Sequence, residues 1–228
     1  TTMATEERGH TTPKGHTHGP AHDHTHDHDH DGRPRAPDVN ETDYYELMAT
    51  AIRELLIEKG VVTAEEIRKQ VEFMDSRSPA LGAQIIARAW ADPAFKNRLL
   101  ADGTKAVAEF GIPMGDAELI VVENTPKVHN MVVCTLCSCY PRTVLGLPPD
   151  WYKSKSYRSR AVIEPRAVLK EFGTSVPDDV TVRVHDSNAD MRYLVLPMRP
   201  KATEGWSEEQ LAALVTRDSM VGVAVPHA

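Results

Sequence analysis

Three cysteines in 228 residues are too few for a disulfide framework, and an odd count leaves one unpaired. The chain lacks an apolar run of the ~20 residues needed to span a bilayer. It also has no Gly-rich phosphate loop and no Ser/His/Asp order suited to acyl transfer. Acidic residues outnumber basic ones, Asp+Glu 33 against Lys+Arg 26, giving a formal net charge of −7. With no basic stripe, nucleic-acid binding is disfavoured. No signal-peptide h-region is evident. These absences predict a cytoplasmic protein, in a compartment where cysteines serve metal binding or catalysis more than cross-linking.

The three cysteines that are present fall within six residues, Cys134-Thr135-Leu136-Cys137-Ser138-Cys139. A C-x-x-C-x-C run offers three soft thiolates, which suits thiophilic transition metals and not Mg²⁺ or Ca²⁺. Zinc would want four side-chain ligands, and no second cysteine pair exists. If Cys137 and Cys139 bind one ion, the peptide nitrogens of Ser138 and Cys139 lie between their sulfurs and can close chelate rings. Cys134 then supplies an axial ligand and one position stays open for water or substrate. Amide nitrogen ligates only after losing its proton, which calls for a strongly polarising ion such as trivalent cobalt or iron. The bland alternatives are three reduced, inert thiols or a strained local disulfide.

The segment Val133-Cys134-Thr135-Leu136-Cys137-Ser138-Cys139-Tyr140-Pro141 resembles the metal-binding segment of the nitrile hydratase α subunit. The likeness continues in Ala87-Arg88-Ala89-Trp90-Ala91-Asp92-Pro93, Val122-Glu123-Asn124-Thr125-Pro126, Leu145-Gly146-Leu147-Pro148-Pro149-Asp150-Trp151-Tyr152-Lys153, Arg192-Tyr193-Leu194-Val195-Leu196-Pro197 and Glu204-Gly205-Trp206-Ser207. The resemblance implies a hydro-lyase that adds water to a nitrile. It implies a Cys134 thiolate, a Cys137 sulfinate and a Cys139 sulfenate, with the amides of Ser138 and Cys139 completing the coordination. Thr135 and Tyr140 match the cobalt-binding branch, so non-corrin Co(III) is expected over Fe(III). The implied roles are Lewis-acid activation of the nitrile and attack, or activation of water, by the Cys139 sulfenate oxygen. The implied partners are a nitrile hydratase β subunit, in a heterotetramer of two α and two β subunits, and an activator or metallochaperone.

Two positions depart from that pattern. Arg142 stands where nitrile hydratases commonly carry Trp, and Met114 falls roughly where many carry Gln. Both are candidates for the substrate pocket or its surroundings. Tyr140-Pro141-Arg142 also resembles the γ subunit of thiocyanate hydrolase, whose anionic substrate a guanidinium would suit. Alternatively, Arg142 forms an ion pair with the partner subunit. A third reading, from the claw and the His-rich N-terminus together, is a non-catalytic metal-handling protein.

Residues 1–39 hold eight of the eleven histidines and no apolar periodicity, which predicts a disordered His/Asp-rich tail; its capacity to gather metal is either incidental or a loading aid. Residues 40–111 read as a helical arm and further helices. Thr42 is a candidate N-cap, Gly60 a stop, Thr63 with Glu66 a capping box, and Pro79–Ala91 a helix followed by another from Pro93. The arm's apolar stripe needs a partner surface. Residues 112–228 read as the metal-binding catalytic domain. Strands are expected at 118–122, 130–133, 180–184, 193–196 and 220–225, with helices at 165–172 and 207–216. His129 is expected to be a hydrogen-bonded core residue; Arg158, Arg160 and Arg166 are expected at an interface or around the metal. The fold class is α+β, a helical arm preceding a layered α-β-β-α domain.

Overall fold

The structure, a computed structural model, describes residues 39–228 and their side chains from residue 44 onward. The expected tail lies outside the described residues, apart from Val39. The arm consists of α1 (Val39–Glu58) and α2 (Ala64–Asp75). Gly60, at φ 65°, follows the end of α1. The Thr63 hydroxyl accepts from Glu66 N, while the Glu66 carboxylate accepts from Thr63 N at 2.8 Å. This reciprocal box satisfies two otherwise orphaned donors. Thr42 is not a cap, because α1 begins at Val39. No side chain from residue 44 to 80 is buried.

Burial begins with α3 (Pro79–Ala91), capped by Ser78 and started by Pro79. Asp92 ends α3 and, through its carboxylate, caps α4 (Pro93–Ala101); α5 (Gly103–Ala108) follows. A Cβ at Gly82 of α3 would sit 2.6 Å from the Met220 sulfur and 2.7 Å from Leu145, so a larger residue there would displace those buried side chains.

The four strands are β1 (Glu118–Glu123), β2 (Val128–Val133), β3 (Thr181–Asp186) and β4 (Met191–Leu196). They form two short parallel sheets, β1 with β4 and β2 with β3. Parallel pairing requires long crossovers, and the β2–β3 crossover carries α6 (Arg142–Leu145), α7 (Asp150–Lys153), α8 (Lys155–Ile163) and α9 (Pro165–Glu171). Helices α4 and α5 pack on β1, β4 packs on β2, and α8 and α9 pack on β2 and β3 respectively. The layers therefore run α-β-β-α, a mixed α+β fold. Ile85, Leu99, Leu119, Met131, Leu169 and Leu194 are fully buried between them.

Several elements differ from expectation. Residues 220–225 form no strand: α11 (Arg217–Val221) covers their start and Gly222, at φ 88°, turns the chain. Thr216 accepts from Ser219 N and closes a capping box, so a run apolar enough for a strand is captured as a buried helix end. The expected helix 207–216 shortens to α10 (Glu208–Ala212), started by the Ser207–Gln210 capping box. Helices α6 to α8 were also not anticipated. Finally, β3 runs on to Asp186, and this extension matters for the site.

Candidate metal centre

Strand β2 ends at Val133 and delivers the chain directly into the cysteine segment. The parallel register pairs Val133 with Asp186. Asp186 therefore stands beside the segment's first turn, where it accepts from Thr135 N at 2.9 Å and from the Thr135 hydroxyl at 2.5 Å. On the other side, the Tyr152 hydroxyl of α7 donates to the Cys139 carbonyl at 2.8 Å, and Arg158 Nη1 of α8 donates to the Cys137 carbonyl at 2.8 Å. The segment has no regular secondary structure of its own; three flanking elements hold it.

These restraints bring the three sulfurs together. Cys134 Sγ lies 3.4 Å from Cys137 Sγ, which lies 3.2 Å from Cys139 Sγ. Cys134 is buried, Cys139 half-buried and Cys137 exposed. Burial, with a hydrogen bond to Cys137, pushes the Cys139 thiol up to about 12. Hydrogen bonds from Cys139 and Cys134 lower Cys137 to about 7, with smaller help from the nearby Ser138 and Cys139 peptide N–H groups. Three thiolates this close repel one another unless a cation lies among them.

The donor set fits one ion. With a metal–sulfur bond of about 2.3 Å, two sulfurs at a right angle stand about 3.3 Å apart and at a tetrahedral angle about 3.8 Å. The three sulfurs are therefore close enough to bind one ion together. Among the described residues these are the only His, Cys, Asp or Glu side chains that converge in this way.

Beside the cysteines lies an open cleft of about 360 Å³, lined also by Met114, Ser138, Arg142, Thr143 and Arg192. Met114 and Arg142, flagged from sequence, therefore face the same space as Cys137 and Cys139. Met114 is buried and its sulfur accepts from the Thr143 hydroxyl at 2.8 Å, whereas Arg142 is exposed. Arg192, on β4, was not foreseen as a site residue; its positive charge acts on Cys139. Another cleft, around Trp90, Glu123 and Arg199, contains no cysteine or histidine.

The remaining sequence candidates fall elsewhere. His129 is buried and its Nε2 is hydrogen-bonded to the Gly222 carbonyl at 2.7 Å, a core role. Arg160 is engaged by Glu164 and Glu171. Arg166 holds the carbonyls of Val176, Pro177 and Val180. Sequence reasoning missed Asp186 and the hydroxyl of Tyr152, because their roles depend on strand register and on the crossover path.

The family described as "Nitrile hydratase, alpha chain" matches residues 43–224. The chain belongs to that family. It is 54% identical over 178 residues to the low-molecular weight cobalt-containing nitrile hydratase subunit alpha of Rhodococcus rhodochrous, covering 77% of this chain and 86% of the relative. It is 47% identical over 203 residues to the thiocyanate hydrolase subunit gamma of Thiobacillus thioparus, covering 84% of each. Among solved structures, a double mutant of the Fe-type nitrile hydratase from Comamonas testosteroni Ni1 superposes with a TM-score of 0.77 at 42% identity, over 82% of this chain and 92% of that one. The relatives of this nitrile hydratase family member thus include proteins named as cobalt-containing and as Fe-type.

Proposed function

We propose that this chain is the α subunit of a cobalt-dependent nitrile hydratase, a hydro-lyase converting a small nitrile to its amide. The observation that carries the reading is the convergence of Cys134, Cys137 and Cys139, the last two lining a cleft open to solvent. Strong identity to a relative named as cobalt-containing supports it. The ion would be non-corrin Co(III), held by the three sulfurs and the peptide nitrogens of Ser138 and Cys139. It would supply Lewis-acid activation of a nitrile.

The chain's own residues do the rest. Cys134 remains a thiolate, Cys137 is a sulfinate and Cys139 a sulfenate, the oxidised forms being protected by ligation from condensation with another thiol. The Cys139 sulfenate oxygen is the nucleophile, or the base that takes the proton of the attacking water. Arg192 offsets the negative charge at Cys139. Met114, Arg142 and Thr143 border the substrate's approach. Residues 1–39 are a His/Asp-rich tail that turnover of the loaded enzyme does not require, 40–111 an arm and helices that pack on a β subunit, and 112–228 the catalytic domain. Two α and two β subunits assemble in the cytoplasm, with the metal installed by an activator protein.

The direct test is amide formation from a simple aliphatic nitrile by the complex co-expressed with its β subunit. The cleft also favours a second reading, since its lining includes two guanidinium groups, Arg142 and Arg192, and no carboxylate. Inertness toward nitriles together with turnover of thiocyanate would transfer the assignment to a thiocyanate hydrolase γ subunit. A metal-handling role would be indicated by reversible metal binding with unoxidised cysteines.

A further inference from the structure

We propose that Arg158 is a positioning residue of the metal centre, compensating the negative charge of the Cys137–Ser138 peptide when its nitrogen is a ligand. The inference rests on the cobalt reading above. A peptide nitrogen that ligates a metal carries negative charge, and resonance across the C–N bond shares that charge with the carbonyl oxygen of the same peptide. For the Ser138 nitrogen, that oxygen belongs to Cys137. It is the atom to which Arg158 Nη1 donates at 2.8 Å. A guanidinium is always charged, so the bond strengthens as the oxygen gains charge.

Three features distinguish this contact from an incidental carbonyl bond. Arg158 Nε is buried without a hydrogen-bond partner, so the side chain is held on the Cys137 carbonyl at the expense of one of its own donors. No carboxylate among the described residues pairs with it, whereas Arg160, one turn-half further along α8, is engaged by Glu164 and Glu171. The charge of Arg158 is thus left for the cysteine segment. Its helix is also fixed to the strand that leads into the segment: Ser154 caps α8, and the Tyr157 hydroxyl donates to the Val132 carbonyl at 2.6 Å. Hydrogen bonds from α8 thus reach both the strand and the segment, through Tyr157 and Arg158 respectively. Ligand-orienting groups of this kind change metal affinity roughly 10- to 100-fold on removal.

The test uses the full chain co-expressed with its β subunit, carrying Arg158→Gln, Arg158→Lys or, as a control, Arg160→Gln. Cobalt(II) chloride is titrated during loading, and cobalt content and the sulfur-to-metal absorption band are measured on the purified complex. For Arg158→Gln, the cobalt concentration giving half-loading should rise roughly 10- to 100-fold and the band of the loaded fraction should shift. Arg158→Lys should recover most of the loading, and Arg160→Gln should alter thermal stability but neither readout. If Arg158→Gln does not assemble, Arg158→Met, which keeps the packed stem, takes its place with the same expectations. Wild-type loading and an unmoved band in the neutral variant would overturn the inference, as would equal impairment by Lys and Gln. Absence of cobalt from the wild-type complex would instead sink the cobalt reading itself, and this inference with it.

Discussion

At the scale of single residues, the three cysteines differ in burial although they share one cluster. Cys134 is sealed at the end of β2, Cys137 faces solvent and Cys139 sits between them in exposure. Their spacing was legible because it is local: three thiols within six residues cannot fold far apart. The groups that hold the segment were not legible, because Thr135 meets Asp186 across 51 positions and Cys137 meets Arg158 across 21. Only the β2–β3 register and the crossover path create those contacts. Cys139, placed on the cleft and carrying the proposed sulfenate, is the residue on which turnover should depend most. Cys139→Ala should abolish amide formation per bound cobalt, measured on complexes matched for metal content; appreciable turnover in a cobalt-loaded variant would refute its role.

At the scale of elements, caps were readable and the short apolar run near the C-terminus was not. Both Thr63–Glu66 and Ser207–Gln210 form the boxes their spacing announces. Residues 220–225 lack any periodicity that separates a buried strand from a buried helix end, and Thr216 with Gly222 decided the matter. Gly222 also binds α11 to β2: its carbonyl meets His129, and a Cβ on it would lie 2.1 Å from the Asn130 carbonyl oxygen. Gly222→Ala, strained at positive φ as well, should destabilise by more than about 1 kcal/mol, seen as a lower melting temperature. The same junction responds to pH. Burial lowers the pKa of His129, and burial lowers that of His185, whose Nε2 is hydrogen-bonded to Asn130 Oδ1 at 2.9 Å. Because their folded pKa values lie below the unfolded value of about 6.5, this stability is complete above that pH and declines as pH falls through the folded values. The wild-type urea midpoint should therefore drop more steeply below about pH 6.5 than that of His185→Gln; parallel curves would contradict the assignment.

At the scale of the whole molecule, the described chain divides into a buried layered core and an arm that buries nothing of itself. Leu47 is 71% exposed and Leu55 48%, and Tyr44, Tyr45 and Ile52 are exposed with them. Full burial of a wholly exposed Leu or Ile is worth about 1.5–3 kcal/mol and of these partly exposed ones correspondingly less, a gain available only from another surface. Deleting residues 1–62, which removes α1, should therefore leave the melting temperature of the remaining chain nearly unchanged while abolishing co-purification with the β subunit; the opposite result would make α1 part of the core. No described helix is long and apolar enough to cross a membrane. The layered core was foreseen in outline from strand and helix signals, but its parallel pairings were not, since pairing depends on segments separated by long crossovers. In the function proposed above, the core presents one oxidised cysteine segment around one trivalent ion. The most direct test is elemental analysis of the co-purified complex combined with mass spectrometry of the peptide spanning Cys134 to Cys139. The account predicts stoichiometric cobalt, two added oxygens on Cys137, one on Cys139 and none on Cys134; a complex without cobalt or iron, or with all three thiols unmodified, would contradict it.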